Sequence, residues 1–362
     1  MDSKTIGFDS LKIGILTFHW AANHGAVLQT YASYSFLKTN FDIEDIKVID
    51  YLPHKREITL RNALRPHYPS VIISRINTWI KENKIKSFRE KLSFSKRYYS
   101  NQELIDNPPE FDILFCGSDQ IWNPSYAKSG EGKPTPVYFL NFGKAGCKKI
   151  ALSVSFGCIE YPTDVMNIVA PHIKKLNAIS VRENSGLEIL QKLGVEKAVI
   201  TADPTSLLST KEYQELCAEK VFSKTPYIGL CILRKQAKQT KKLIKSITSK
   251  FDEKVIDIEK MSMENWLAGI RDAKVVVTNS FHCVMMCLKL HTPFVVVTEN
   301  GSLSGMNDRL YTLLEKFNLQ DRIIHYENQA IIFNEIDWKE IDEIMESYAL
   351  TLKNYLSSVI DL

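Results

Sequence analysis

The chain has 362 residues, 44% of them hydrophobic and 24% charged, a length that suggests two domains at roughly 150 residues each and a composition that excludes a disordered chain. No apolar run reaches the ~18 residues of a membrane span, and seven cysteines, an odd number, do not form a disulfide framework. The net charge of +4 says little until its distribution along the chain is read.

The opening MDSKTIGFDS lacks the apolar stretch of a secretory leader, which predicts a cytoplasmic protein. Lys12–Phe18 reads as a strand, residues 19–25 (HWAANHG) as a loop, Ala26–Leu37 as a helix and Ile46–Tyr51 as a second strand. This β-loop-α-β order is what a parallel sheet requires. From His54 to Ser100, twelve Lys or Arg face three Glu, an excess of nine that leaves the rest of the chain at −5. The pattern predicts a mostly helical basic insertion. It is either a solvated helical face, the more frequent case, or a surface for an anionic partner such as a membrane or a pyrophosphate-linked substrate. Strands resume at Phe111–Cys116, Lys149–Phe156, Ala178–Arg182 and near 198–203, with a helix at Gly186–Leu193.

After the polar boundary Ser209–Thr225 the alternation restarts. Strands are expected at Tyr227–Leu233, Lys254–Ile258, Lys274–Thr278 and Pro293–Thr298. Helices are expected at Gln236–Phe251, Met263–Ala273, His282–Leu290, Asp308–Phe317 and Asp337–Val359. The expected fold is therefore α/β, with two Rossmann-like doubly wound domains, 1–210 and 211–362, facing a cleft.

Open α/β sheets bind ligands beyond the carboxyl ends of their strands. Four such ends are unusually polar. In the first, Asn23, His24 and Gly25 suit either ligand binding or a helix cap; one glycine is too few for a dinucleotide fingerprint. The second, residues 116–124, places Ser118, Asp119, Gln120, Trp122 and Asn123 after a buried strand. That exceeds what a turn needs and resembles a sugar-binding constellation. The third places Arg182 between a strand and a helix, where a cation grips phosphate or carboxylate or forms a surface ion pair. The fourth, Asn279-Ser280-Phe281-His282, sets an imidazole at a helix start, suited to proton transfer or to a structural role. There is no P-loop, GxSxG or HExxH, and Cys283 and Cys287 read as core thiols rather than metal ligands.

Taken in order, KIGILTFHWAANHGAVLQTYA, FDILFCGSDQIWNP, ALSVSFG, AISVREN, TADPT, VVVTNSFHCVMMCLKLHTPFVVV and NDRLYTLLEKF resemble the polysaccharide pyruvyl transferase family over nearly the whole chain. Each motif alone is weakly specific; the ordered set is strong. The resemblance implies a GT-B-like fold and transfer of the pyruvyl group of phosphoenolpyruvate onto two hydroxyls of a sugar as a cyclic ketal. It implies no cofactor beyond that donor and no nucleic acid. The implied acceptor is a sugar or a lipid-linked oligosaccharide, in surface-polysaccharide (capsule) biosynthesis at the inner membrane face. His282 matches the family's histidine and Arg182 the basic position of its SVRE-type segment. Several branches carry Arg where this chain has Ser280, and Cys283 replaces a usual Gly. Donor contacts are then expected from Arg182, Arg309, Ser280 and Asn279. Asp119 is expected to stabilise a cationic transition state, and Asn23, His24, Gly25, Ser118, Gln120, Trp122 and Asn123 to hold the acceptor. The alternative is a nucleotide-sugar glycosyltransferase of the same fold, for which Glu299 is an isolated ribose-binding candidate.

Overall fold

The computed structural model describes residues 11–41, 43, 45–53, 56–127, 131, 134–219, 223–234, 236–298, 305, 307–326, 329 and 335–360. Two all-parallel sheets organise them. The first holds β1 (Lys12–Leu16), β2 (Asp45–Tyr51), β3 (Phe94–Tyr98), β4 (Ile113–Asp119), β5 (Lys148–Val154), β6 (Ala178–Val181) and β7 (Val199–Ile200), in the order β3-β2-β1-β4-β5-β6-β7. The second holds β8 (Tyr227–Cys231), β9 (Lys254–Asp257), β10 (Val275–Thr278), β11 (Phe294–Val297) and β12 (Ile323–Ile324), in the order β12-β11-β10-β8-β9. The apolar runs VVVT and FVVV are buried along their whole length, as strands covered by helices on both faces must be.

The helices interleaved in sequence with the strands of the first sheet are α1 (His24–Asn40), α2 (Leu60–Ala63), α3 (Pro69–Arg89), α4 (Asn101–Asp106), α5 (Pro124–Ala127), α6 (Thr163–Ile173) and α7 (Asn184–Lys192). After it come α8 (Thr210–Leu216), α9 (Lys238–Thr248), α10 (Met263–Arg271), α11 (Phe281–Lys289), α12 (Asp308–Lys316) and α13 (Trp338–Ile360). The architecture is two Rossmann-like α/β units.

The order in which strands are added reverses between β1 and β4 in the first sheet and between β8 and β10 in the second. Side chains beyond the carboxyl ends of those strands therefore share the two natural ligand crevices. α1 meets α11 across the units, and one apolar core runs from Val27 and Leu28 through Trp266 and Phe281.

Three features depart from the sequence expectation. Strand β3 lies inside the basic insertion, which is therefore not helical throughout. The strand near 198–203 shortens to two residues, because Asp203 turns the chain by accepting from the Thr205 amide. Helix α13 returns to the first sheet: its Thr351 hydroxyl accepts from the Ala202 amide at 3.0 Å, and Tyr355 donates to the Ala151 carbonyl at 2.9 Å. The basic insertion also spends cations internally. Lys81 pairs with Glu259 and Lys84 donates to the Lys260 carbonyl, both in the second unit, while Arg89 pairs with Glu82 and donates to the Ala21 carbonyl.

Candidate active site

Asp119 ends β4 with φ 72°, in the left-handed region that aspartate enters more readily than most residues. Its carboxylate lies 3.1 Å from Arg182 Nη2 and 3.6 Å from Arg309 Nη1. Arg182 follows β6, and its Nη1 reaches Asp203 Oδ2 at 2.5 Å. The same Asp203 oxygen stands 3.4 Å from His282 Nε2, at the start of α11. The other oxygen accepts from the Thr205 amide and hydroxyl at 2.9 and 2.6 Å. Five groups from both units thus form one chain: Arg309, Asp119, Arg182, Asp203 and His282. Phe281 lies beneath its cations, 5.0 Å from the Arg182 guanidinium and 5.8 Å from that of Arg309.

Burial would raise both carboxyl groups, but the opposite charges outweigh it. His282, Arg182 and Arg309 hold Asp119 below the usual carboxylate range. His282, Arg182 and Thr205 hold Asp203 well below it. Arg309 is pushed down to about 10 by burial and by Arg182 beside it, so it keeps its charge at neutral pH. Its Nε has no hydrogen-bond partner among the described residues. Next to the cluster, burial raises the Glu183 carboxyl despite Arg182, and its Oε1 accepts from the Phe156 amide at 3.0 Å.

The two units touch where Gly25 faces His282. A Cβ on Gly25 would lie 2.1 Å from His282 Nδ1, so only glycine lets the imidazole stand there. One residue earlier, His24 stacks on Trp266 at 4.9 Å and 11°, and its Nε2 donates to the Met261 carbonyl at 2.9 Å. Burial, with Lys81 nearby, pushes the His24 imidazole down to about 3 and keeps it neutral. Asn23 caps α1, accepting from the Gly25 and Ala26 amides at 2.9 and 3.3 Å.

A family model described as polysaccharide pyruvyl transferase matches residues 23–301, well over half of the chain. The chain belongs to the polysaccharide pyruvyl transferase family. The matched span contains His282, Asp203, Arg182 and Asp119 but ends before Arg309. No curated protein matches the chain. Among solved structures, UDP-GlcNAc 2-epimerase from Methanocaldococcus jannaschii is similar at 13% identity and TM-score 0.48, covering 94% of this chain and 92% of its own. The Streptomyces sp. SF2575 glycosyltransferase SsfS6 is similar at 11% identity and TM-score 0.39, covering 95% and 96%. Likeness at this level carries nothing about chemistry.

Several residues expected to bind ligand do structural work in this transferase. Trp122 is fully buried, stacked on Phe139 at 4.9 Å, and its Nε1 donates to the Tyr138 carbonyl at 2.9 Å, so no sugar reaches its face. Ser118 is also fully buried: its amide donates to Gln29 Oε1 at 2.9 Å and its hydroxyl to the Ser153 carbonyl at 2.7 Å. Asn123 shapes a turn, accepting from the Ser125 amide at 3.0 Å and donating to the Gly157 carbonyl at 3.3 Å. Gln120 is buried beside Gly157, with its Nε2 lacking a partner among the described residues. Asn279 joins the end of β8, accepting from the Leu233 amide at 2.7 Å and donating to its carbonyl at 3.2 Å. Ser280 caps α11 through the Cys283 amide at 3.4 Å. Arg182 has no exposed side-chain surface, and its guanidinium is taken up by two carboxylates, Asp119 and Asp203. Glu299 lies outside the described residues.

Sequence reasoning missed Asp203 and Trp20. Asp203 was visible only as the acidic residue before the proline of TADPT, a position that marks a strand end without saying which side chain it meets. Trp20, half-exposed, floors a cavity of about 440 Å³ whose lining includes His19, Asp50, Arg56, Glu82 and Phe94. Arg56 lies 5.5 Å over the Trp20 ring. Phe18 links this floor to Tyr126, its ring 5.8 Å from Trp20 and 4.6 Å from Tyr126. Tyr126 in turn feels Asp119, Arg234, Arg56 and Arg309 electrostatically, and burial raises its hydroxyl pKa. An aromatic path thus leads from the cavity to the charged cluster.

Proposed function

We propose that the protein transfers the pyruvyl group of phosphoenolpyruvate onto two hydroxyls of a sugar, giving a cyclic ketal and inorganic phosphate. The observation that carries this reading is the buried chain Arg309–Asp119–Arg182–Asp203–His282, which holds a proton carrier, two ionised carboxylates and two charged arginines within one crevice. Phosphoenolpyruvate supplies a phosphate and a carboxylate for Arg309, whose Nε has no hydrogen-bond partner among the described residues. His282, steadied by Asp203, protonates the enol methylene carbon. A sugar hydroxyl adds at C2 of the resulting oxocarbenium-like centre, which Asp119 stabilises. Phosphate leaves with the C2–O bond pair and carries off the proton of the first hydroxyl, and the second hydroxyl closes the ring as its proton returns to the histidine.

In this reading the acceptor lies on the Trp20 floor. Arg56, Lys86, Arg89 and Arg97 there are matched by Asp50, Glu57, Glu82 and Glu90, so the cavity is balanced in charge and rich in hydrogen-bonding groups. An apolar ring face with such a rim suits a saccharide better than a bare anion. The test is incubation with phosphoenolpyruvate and a panel of free, nucleotide-linked and lipid-linked saccharides, following phosphate release and the mass of the acceptor. Stoichiometric phosphate and a pyruvyl-ketal mass gain are expected, both lost in His282→Ala. Transfer of a glycosyl group from a nucleotide sugar instead would overturn the proposal.

A further inference from the structure

Helix α3 is 21 residues long, yet its buried residues are Ile85 and Phe88, both in its last two turns. From Pro69 to Ile80 no residue is buried, although this stretch reads PSVIISRINTWI. A helix normally forms in a protein by burying an apolar stripe, so three turns of partly covered Val71, Ile72, Ile76 and Trp79 lack the packing that would hold them. Around them Leu60, Leu64, Tyr68, Ile73 and Ile80 are 44, 54, 76, 58 and 40% exposed. Among the described residues no other segment gathers more than two such exposed large apolar side chains. The i, i+4 spacing of Leu60 and Leu64, and the i, i+7 spacing of Ile73 and Ile80, put each pair on one helical face.

Charge decides what covers this surface. Residues 58–81 contain Arg61, Arg65, Arg75 and Lys81 and not one Asp or Glu. Lys81 is committed to Glu259 of the second unit, which leaves three arginines interleaved with the exposed apolar residues. A second copy of the chain docking here would set these arginines against their own kind. An anionic bilayer satisfies both halves of the pattern: apolar tips enter the headgroup boundary while arginine stems snorkel to lipid phosphates.

We infer that the α2–α3 projection, with Leu64, Tyr68 and Ile73 as anchors and Arg61, Arg65 and Arg75 as counter-charges, docks the protein on an anionic membrane surface. The inference stands on this surface alone and does not require the ketal chemistry. It does bear on substrate. A further cavity of about 370 Å³, lined by Arg65, Arg75 and Trp20, opens beside the anchors and shares Trp20 and Arg56 with the proposed acceptor site. A lipid-linked saccharide presented by the docked membrane would have a short path to that floor.

The test is co-sedimentation of the full chain with phosphatidylcholine vesicles containing about 30% phosphatidylglycerol, against pure phosphatidylcholine vesicles, at low and high salt. Wild type is expected to pellet with the anionic vesicles and to be released by salt. Arg61→Gln/Arg65→Gln/Arg75→Gln should weaken partitioning by about 100-fold, at about fivefold per cation. Leu64→Ser/Tyr68→Ser/Ile73→Ser should also stay in the supernatant, with unchanged circular dichroism because all three side chains are exposed. Failure of wild type to pellet, or equal pelleting of either variant, overturns the inference. So does a dimer in analytical ultracentrifugation that the serine variant turns to monomer, since that assigns the face to a second copy.

Discussion

Gly25→Ala sets a methyl carbon against the ring of His282. The added Cβ would lie 2.1 Å from Nδ1, 2.4 Å from Cγ and 2.7 Å from Cβ of the histidine. Ordinary carbon contacts sit near 3.5–4.0 Å, so ring and helix start must separate by about 1 Å or more. Overpacking of this kind costs about 1–3 kcal/mol, offset by up to about 1 kcal/mol because alanine favours the helix that glycine disfavours. The catalytic cost is larger: a displacement of about 1 Å at a reacting group lowers turnover by about 10²-fold. Urea unfolding followed by fluorescence reads the first quantity, and phosphate release from phosphoenolpyruvate in the presence of acceptor reads the second. In a His282→Gly background the clash is gone, so the same Gly25→Ala change should cost no stability. Wild-type turnover and an unmoved midpoint in Gly25→Ala would refute the reasoning. An equal loss of stability in both backgrounds would place the strain elsewhere.

Three further outcomes are expected. Asp203→Asn removes the charge shared by Arg182 and His282 and should lower stability by about 3–5 kcal/mol, as expected for breaking a buried pair; a chemical-denaturation shift below 1 kcal/mol would contradict it. His24 has a folded pKa near 3 against 6.5 unfolded, so the unfolded state binds the extra proton between those values. Stability should fall with decreasing pH there by up to about 1.4 kcal/mol per unit, and His24→Phe should flatten that slope in melts across the range; an unchanged slope argues against a neutral buried ring. Trp20→Ala should raise KM for the saccharide acceptor with little change in KM for phosphoenolpyruvate, whereas the reverse split would move the acceptor off the Trp20 floor.

The two parallel sheets were legible because their central strands are short, uninterrupted apolar runs such as KIGIL, VVVT and FVVV, each followed by a polar loop. The ends of those strands were equally legible as candidate site positions, and Asp119, Arg182 and His282 do converge. Their roles were harder to read. Trp122 and Ser118 look available in sequence, yet a neighbouring loop supplies Phe139 and the Tyr138 carbonyl, and α1 supplies Gln29, contacts that no local pattern announces. Arg182 looked like a free cation because its two carboxylates, Asp119 and Asp203, come from other strand ends. Gly25 read as a glycine for ligand approach or a helix cap, but the constraint on it is His282, 257 positions away in a different unit. The basic insertion shows the same limit: charge counting located it, while the structure separates cations spent inside the fold from those on the exposed face of α2 and α3.

Phosphoenolpyruvate binding at the Arg309–His282 crevice is the central claim, and calorimetric titration tests it most directly. Wild type should bind phosphoenolpyruvate with measurable heat, Arg309→Ala should bind it at least tenfold more weakly, and a UDP-sugar should give no saturable heat at the same concentrations. Saturable binding of the UDP-sugar, with none of phosphoenolpyruvate, would contradict the assignment and make this crevice a nucleotide-sugar site.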